Sequence, residues 1–208
     1  MARSKSSKRW LEEHFSDPFV KKAQAAGLRS RAAFKLQELL DQRDLKIKPG
    51  MVIVDLGAAP GGWSQLLSQR LKGRGRIVAL DLLEMAALPD VEFFQGDFTD
   101  EAVLKELESR LGGQPVDLVV SDMAPNMSGV TQVDIPRSYV LAEMALDFAR
   151  QWLKPQGEFL IKLFQGEGFD AYLKALRSSF ASLKMRKPEA SRGRSREVYA
   201  LATGFRVE

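Results

Sequence analysis

The stretch Met51-Val52-Ile53-Val54-Asp55-Leu56-Gly57-Ala58-Ala59-Pro60-Gly61-Gly62-Trp63 carries the strongest fold signal in the chain. An apolar run closed by Asp55 predicts a buried parallel strand, and the small, turn-forming residues behind it predict a tight loop before a helix starting near Gly61. Gly57 and Gly61 lack a β-carbon, so backbone amides there can approach a ligand at the carboxyl edge of a sheet, where open α/β folds bind nucleotides. This reads as a cofactor pocket. The spacing Asp-x-Gly-x-x-x-Gly differs from Gly-x-Gly-x-x-Gly, which sets a pyrophosphate on a helix N-terminus, and suits an uncharged or cationic nucleoside group better.

Outward from this loop, strands and helices alternate, which predicts one α/β domain. A helix from about Gly62 to Leu71 leads to the apolar strand Ile77–Asp81. Asp81 lies 24 residues beyond Gly57, the range in which a carboxylate reaches the two hydroxyls of a ribose held by the first loop. A third strand, Val91–Gln95, precedes Asp97, which suits either an adenine amino group or a helix N-cap. The amphipathic helix Glu101–Leu111 and the strand Val116–Val120 run into a loop, Ser121 to Gly129, that falls beside the first loop if the sheet is doubly wound. Asp134 or Ile135-Pro136 is expected to open a long helix to about Leu153, with a turn at Pro155 and Gly157 before the strand Glu158–Phe164. A helix (Phe169–Ser179) and two strands (Ser182–Arg186, Val198–Ala202) complete the chain.

Upstream, residues 1–9 read as a basic arm, and Trp10 to Ala26 as helix interrupted or restarted at Asp17-Pro18 and stopped by Gly27. Ser30 is expected to cap a helix from Arg31 to Leu40 that turns Ala33, Phe34, Leu36, Leu39 and Leu40 inward and Lys35 elsewhere. Arg29, Arg31 and Lys35 cluster there as a nucleic-acid-facing element would have them.

The 208 residues, 45% of them hydrophobic, suffice for one buried core. There is no cysteine, hence no disulfide or thiolate metal site, and the single His14 gives little basis for a histidine-ligated metal. No apolar run reaches membrane-spanning length and no secretory signal is visible, so the expectation is a cytoplasmic protein. The net charge of +4 is unevenly spread: residues 1–48 carry a net +6 and residues 184–208 a net +4 around an acidic middle. If the two ends converge, Arg29 and Arg31 with Arg192, Arg194 and Arg196 form a positive face for a phosphate backbone.

Lys162 is the anomaly. A lysine inside the apolar run Glu158-Phe159-Leu160-Ile161-Lys162-Leu163-Phe164 is costly to bury, so it lies at the open end of its strand or serves chemistry.

Four pieces together, Asp55 to Trp63, Ser121-Asp122-Met123-Ala124-Pro125-Asn126, Lys162 and Ser195-Arg196-Glu197-Val198-Tyr199, resemble the FtsJ/RrmJ family of S-adenosylmethionine-dependent ribose 2′-O-methyltransferases. The likeness extends from about Trp10 to Gly204, including Gly27 to Arg31 and Phe164 to Phe169. It implies a Rossmann-like α/β methyltransferase fold: a seven-stranded, mostly parallel sheet with its last strand antiparallel and helices on both faces. Residues 1–9 are then an arm, and 10–208 a single domain whose segment 10–48 helps bind RNA. It implies that Gly61 and Trp63 line the cofactor site with Gly57, that Asp81 holds the ribose, Asp97 the adenine and Asp122 the methionine end, and that Lys35, Asp122, Lys162 and Glu197 form a catalytic tetrad centred on Lys162. The implied substrate is a uridine of 23S ribosomal RNA in the large subunit, with no metal, no membrane and a monomeric enzyme.

A ribose hydroxyl is a weak nucleophile, and S-adenosylmethionine an activated donor. Such an enzyme aligns oxygen, methyl carbon and sulfur and manages one proton. Lys162 could do the latter as a neutral amine or as an ammonium that stabilises developing negative charge. A non-catalytic RNA-binding factor and an NAD-dependent oxidoreductase are the competing classes, the second disfavoured by the absent Gly-x-Gly-x-x-Gly.

Overall fold

A computed structural model describes residues 17–42, 44–193 and 195–207; the arm 1–9, the expected helical stretch 10–16 and Arg194 lie outside the described residues. Seven strands, β1 (Val52–Leu56), β2 (Arg76–Asp81), β3 (Val91–Gln95), β4 (Val116–Ser121), β5 (Leu153–Phe164), β6 (Phe180–Arg186) and β7 (Glu197–Phe205), form one sheet in the order β3-β2-β1-β4-β5-β7-β6. Strands β1 to β5 pair in parallel, whereas β7 runs antiparallel to both β5 and β6. The order reverses between β1 and β4. Chain connections depart in opposite directions there and leave a crevice at the strands' carboxyl ends.

The central strands read as unbroken apolar runs because both of their faces are covered. On one face, Ile53, Ile77, Leu118, Val120, Leu160, Tyr199 and Leu201 pack with helices α2 (Ala32–Asp41) and α3 (Gly62–Leu71). On the other, Val54, Val78, Val119, Phe159 and Ile161 pack with α4 (Glu101–Leu111), α5 (Thr131–Trp152) and α6 (Phe169–Ser179). A short helix, α1 (Pro18–Ala25), precedes α2, and Asp17 caps it by accepting the Phe19 amide at 2.9 Å.

Three local expectations are corrected. Ser30 does not cap α2: its hydroxyl is buried without a partner, the side chain lying so close to Gly62 that a β-carbon there would collide with it. Helix α5 starts at Thr131, a turn before Asp134, because the Asp134 carboxylate reaches back to accept the amides of Ser128 (2.8 Å) and Gly129 (2.9 Å). Those amides, with the Ser128 hydroxyl, hold the Asp134 carboxyl below the usual carboxylate range, and Pro136 falls inside the helix. Finally, the turn at Pro155 and Gly157 is an irregularity within β5. Pairing with β4 slips between Val116/Leu153 and Leu118/Glu158, and Gln156 takes φ +66°.

Asp55 is fully buried at the end of β1. Its Oδ2 accepts the Ser64 hydroxyl at 2.6 Å while Oδ1 has no partner. Burial pushes its carboxyl up to about 7, against the lowering effect of Ser64. The native state therefore holds a proton that the unfolded chain releases near pH 4, and the stability this contributes at low pH is lost as pH rises towards 7. Asp55→Asn removes this dependence. In denaturant titrations at pH 5 and pH 8, the variant gains about 2–3 kcal/mol relative to the unsubstituted protein over that interval; an unchanged difference refutes the assignment.

Candidate active site

Side chains two apart on a strand share a face, and this period assembles the polar groups. Asp55 continues the row of Ile53, Asp81 that of Ile77 and Ala79, Asp122 that of Leu118 and Val120, and Lys162 that of Leu160. Strand β7 contributes Tyr199 and Glu197 from the row of Leu201. The apolar members of each row pack beneath α2 and α3 or beside them, and the polar members emerge where those rows reach the carboxyl edge.

Antiparallel pairing puts Lys162 opposite Tyr199 and Phe164 opposite Glu197. The Lys162 Nζ donates to the Asp122 carbonyl at 2.6 Å and lies 3.2 Å from Asp122 Oδ1. Tyr199, whose side chain is fully buried, donates its hydroxyl to the same Oδ1 at 2.8 Å. Burial, with Asp122 and Glu197 nearby, holds the Tyr199 phenol well above its usual ionisation range, so it remains a donor. From α2, Lys35 pairs with Glu197 Oε1 at 2.6 Å, off the angle of a good hydrogen bond, and its Nζ lies 5.6 Å from the Tyr199 ring centre. Lys35, Asp122, Lys162 and Glu197 thus converge around Tyr199. Sequence reading assigned Tyr199 no role. Its signal was the position two residues beyond Glu197, on the same face of the final strand.

Beside this cluster opens a cleft of about 670 Å³, lined among others by Gly57, Ala59, Asp81, Asp97, Asp122 and Asn126. Asp81 is pre-oriented, since Oδ2 accepts the Ala59 amide and Oδ1 the Leu83 amide, both at 2.8 Å. Asp97 accepts the Thr99 hydroxyl (2.7 Å) and amide (2.9 Å), which hold its carboxyl below the usual range. The N-cap of α4 is Asp100, leaving Asp97 facing the cleft. Gly57, at φ +80°, has no room for a β-carbon, which would sit 2.8 Å from the Met123 amide. Trp63 and Gly61 are not among the lining residues. The Trp63 indole is buried, donates to the Ala32 carbonyl at 2.9 Å and packs 5.8 Å from the Tyr199 ring. At Gly61, φ +105°, the space of a side chain is taken by Arg29 and Met85.

A second, smaller cleft of about 290 Å³ is lined by Arg31, Ala32, Lys35, Arg192, Ser195 and Glu197. The arginines expected to face nucleic acid divide here. Arg29 donates to the carbonyls of Pro60 (3.3 Å), Ala86 (2.5 Å) and Ala87 (2.7 Å), and Arg31 pairs with Asp17 and donates to the Ala190 carbonyl. Their guanidinium forks meet acceptors within the protein. Arg192 is half-buried, 3.7 Å from Asp17, and Arg196 is exposed. Among the described residues no group of three or more histidine, aspartate or glutamate side chains is placed to hold a metal, and no helix is long and apolar enough to cross a membrane.

A mostly parallel seven-stranded sheet with a reversed β7, and a cleft at the point where strand order turns, define a Rossmann-like methyltransferase. The FtsJ-like methyltransferase family signature matches residues 28–205, and the chain belongs to that family and is a methyltransferase. It is 64% identical over 205 residues, 99% of this chain and 97% of its relative, to the ribosomal RNA large subunit methyltransferase E of Stenotrophomonas maltophilia strain K279a. The protein of that name from Pseudomonas fluorescens strain Pf-5 is 58% identical over 99% of this chain and 98% of its own length. Among solved structures, a Plasmodium falciparum protein provisionally described as a ribosomal RNA methyltransferase superposes with a TM-score of 0.76 at 29% identity, covering 85% of this chain and 98% of that one.

The Tyr199 hydroxyl fixes one rotamer of Asp122. Tyr199→Phe preserves the ring packing and loses about 1 kcal/mol of stability by denaturant titration. It lowers the single-turnover rate of methyl transfer about 10-fold, because Asp122 no longer holds Lys162 in one place; an unchanged rate excludes Tyr199 from the site.

Proposed function

We propose that the protein transfers a methyl group from S-adenosyl-L-methionine to the ribose 2′-hydroxyl of a uridine in 23S ribosomal RNA, with the large ribosomal subunit as its context. The observation that carries this reading is the cluster around Tyr199: Asp122, which lines the larger cleft, holds both Lys162 and the Tyr199 hydroxyl, and Lys35 with Glu197, which line the smaller cleft, meet on the same face of the sheet. The names of the relatives supply the ribosomal RNA. A single enzyme acting in the cytoplasm as a monomer is part of the same proposal, with residues 10–208 as one domain.

The larger cleft fits the methyl donor. Its volume lies in the range of small-molecule sites, and Asp81, steadied by two amides, offers its remaining lone pairs to a ribose diol. Asp97 stays an acceptor suited to an amino group, the small loop from Gly57 admits a nucleoside, and Asp122 takes the amino-acid end. Gly61, whose amide donates to the Ala58 carbonyl at 2.7 Å, takes part by shaping the turn into α3, and Trp63 through its backbone amide, one of those that a helix start leaves without partners. When bound, S-adenosyl-L-methionine supplies a methyl group already activated on a sulfonium.

Lys162 then manages the proton. In the amine form one N–H is taken by the Asp122 carbonyl, with the Asp122 carboxylate 3.2 Å away, and its lone pair is left for the 2′-hydroxyl. The oxygen–carbon bond forms as the sulfur–carbon bond breaks, the hydroxyl proton passes to Nζ, and the ammonium so formed is held by Asp122. Lys35, tethered to Glu197, faces the smaller cleft and orients the nucleotide there. Arg192, Arg194 and Arg196 meet the neighbouring phosphates, with Arg31 at the edge of the cleft.

Incubation with labelled S-adenosyl-L-methionine and, separately, naked ribosomal RNA, large subunits and whole ribosomes places label on one ribose, most rapidly in large subunits. Label on a base overturns the proposal. Lys162→Ala slows single-turnover transfer by about 10²–10⁴-fold. A single-turnover rate that rises with pH supports the base assignment, and a rate flat from pH 6 to pH 10 assigns Lys162 to charge stabilisation instead.

Arg192→Ala and Arg196→Ala each weaken RNA binding and lower the slope of log affinity against log salt by about 1, with cofactor affinity unchanged. A slope equal to that of the unsubstituted protein removes the residue from the RNA contact.

A further inference from the structure

The loops after β1 and β2 both line the larger cleft, through Gly57 and Ala59 on one side and Asp81, Leu82 and Leu83 on the other. Between Asp81 and β3 the chain makes a long excursion, residues 82–90, without regular structure. One side chain from elsewhere, that of Arg29, reaches both loops. Arg29 crosses the space left by Gly61 and donates to the Pro60 carbonyl after β1 and to the Ala86 and Ala87 carbonyls after β2. Its own backbone is anchored to α3: the Arg29 amide donates to Gln65 Oε1 at 3.0 Å, and Gln65 Nε2 donates to the Gly27 carbonyl at 2.9 Å.

We infer that Arg29 is a positioning residue of the cofactor cleft, its guanidinium fixing the spacing between the loops that hold the nucleoside end. The inference rests on the methyl-transfer reading for the identity of the ligand. Two terminal nitrogens of one rigid fork serve three carbonyls on two separate loops, Pro60 and Ala86 from Nη1 and Ala87 from Nη2, a spread that the single nitrogen of an ammonium does not reproduce. The carbonyls are neutral, so the contact is geometric bracing rather than charge neutralisation. The same segment, Gly27 to Lys35, carries Arg31 and Lys35 to the smaller cleft. Arg29 thereby links the element facing RNA to the loops that close on the cofactor.

The test compares the unsubstituted protein with Arg29→Ala and Arg29→Lys by calorimetric titration with S-adenosyl-L-homocysteine, by RNA binding and by steady-state kinetics. Arg29→Ala is expected to raise the dissociation constant for S-adenosyl-L-homocysteine, and KM for S-adenosyl-L-methionine, about 10-fold. The turnover number stays within about 3-fold and RNA affinity within about 2-fold, since no reacting or phosphate-binding group is removed. Arg29→Lys recovers only part of the loss. Hydrogen exchange of residues 82–88 is faster in both variants without ligand, a readout that holds even where Arg29→Ala is less stable. RNA affinity lost with S-adenosyl-L-homocysteine affinity kept makes Arg29 a phosphate contact and overturns the inference. Equal losses in every measurement reduce it to a fold-stabilising residue, which also overturns it. An unsubstituted protein that binds no S-adenosyl-L-homocysteine overturns the methyl-transfer reading itself, and this inference with it.

Discussion

The antiparallel register of β5 against β7 is the constraint from which the site follows. Lys162 opposite Tyr199, and Phe164 opposite Glu197, set a lysine from a central strand beside a tyrosine and a carboxylate from the last one. Because side chains alternate faces, a slip of one residue sends Tyr199 away from Asp122 and turns Glu197 from Lys35. The register is secured well away from the charges. Phe159 opposite Ala202 and Leu160 opposite Leu201 pack on opposite faces, so a slip would expose or clash both cores together. Apolar burial beneath the sheet thus holds polar geometry at its edge.

The strands and most helices were legible because their signal is local. β3, α4 and α6 fall on the expected residues, and β1 and β2 within a residue of the expected ends. Where the reading failed, a distant or reversed contact decided. Asp134 looks like the start of a helix, yet it serves a loop upstream of itself, so α5 begins before it. Ser30 has the chemistry of a cap, but its side chain is wedged against Gly62 of another helix. The last two strands are longer than their apolar centres because β6 and β7 pair from Phe180/Phe205 to Arg186/Tyr199, carrying polar residues along in the sheet.

The site was legible in proportion to how strange each residue is in its neighbourhood. Lys162 stands out in an apolar strand, and Asp81 and Asp97 follow strand ends at a nucleotide-binding edge. Tyr199 is invisible by that standard: an aromatic in an apolar strand is what a core requires, and only the fold reveals its hydroxyl on Asp122. Trp63 shows the converse, since its place in a conspicuous loop draws attention to a side chain whose indole packs in the core under α2. For Arg29 and Arg31 the sequence states a charge but not its acceptor.

The charge pattern has a similar resolution. Among the described residues the two basic ends do converge, but much of their charge is consumed in joining them. Arg186 and Lys184 both bind Asp44, Arg31 binds Asp17 and Lys35 binds Glu197. Hydrogen bonds from Arg186 and Lys184, offset in part by burial, hold the Asp44 carboxyl below its usual range, so the link stays charged at neutral pH. Each internal pair removes a cation from those available to release counterions from a phosphate backbone. Net charge therefore overstates the electrostatic grip of this face on RNA. Among the described residues, the cations available to the proposed RNA contact are set by which of them lack an internal carboxylate rather than by the net charge.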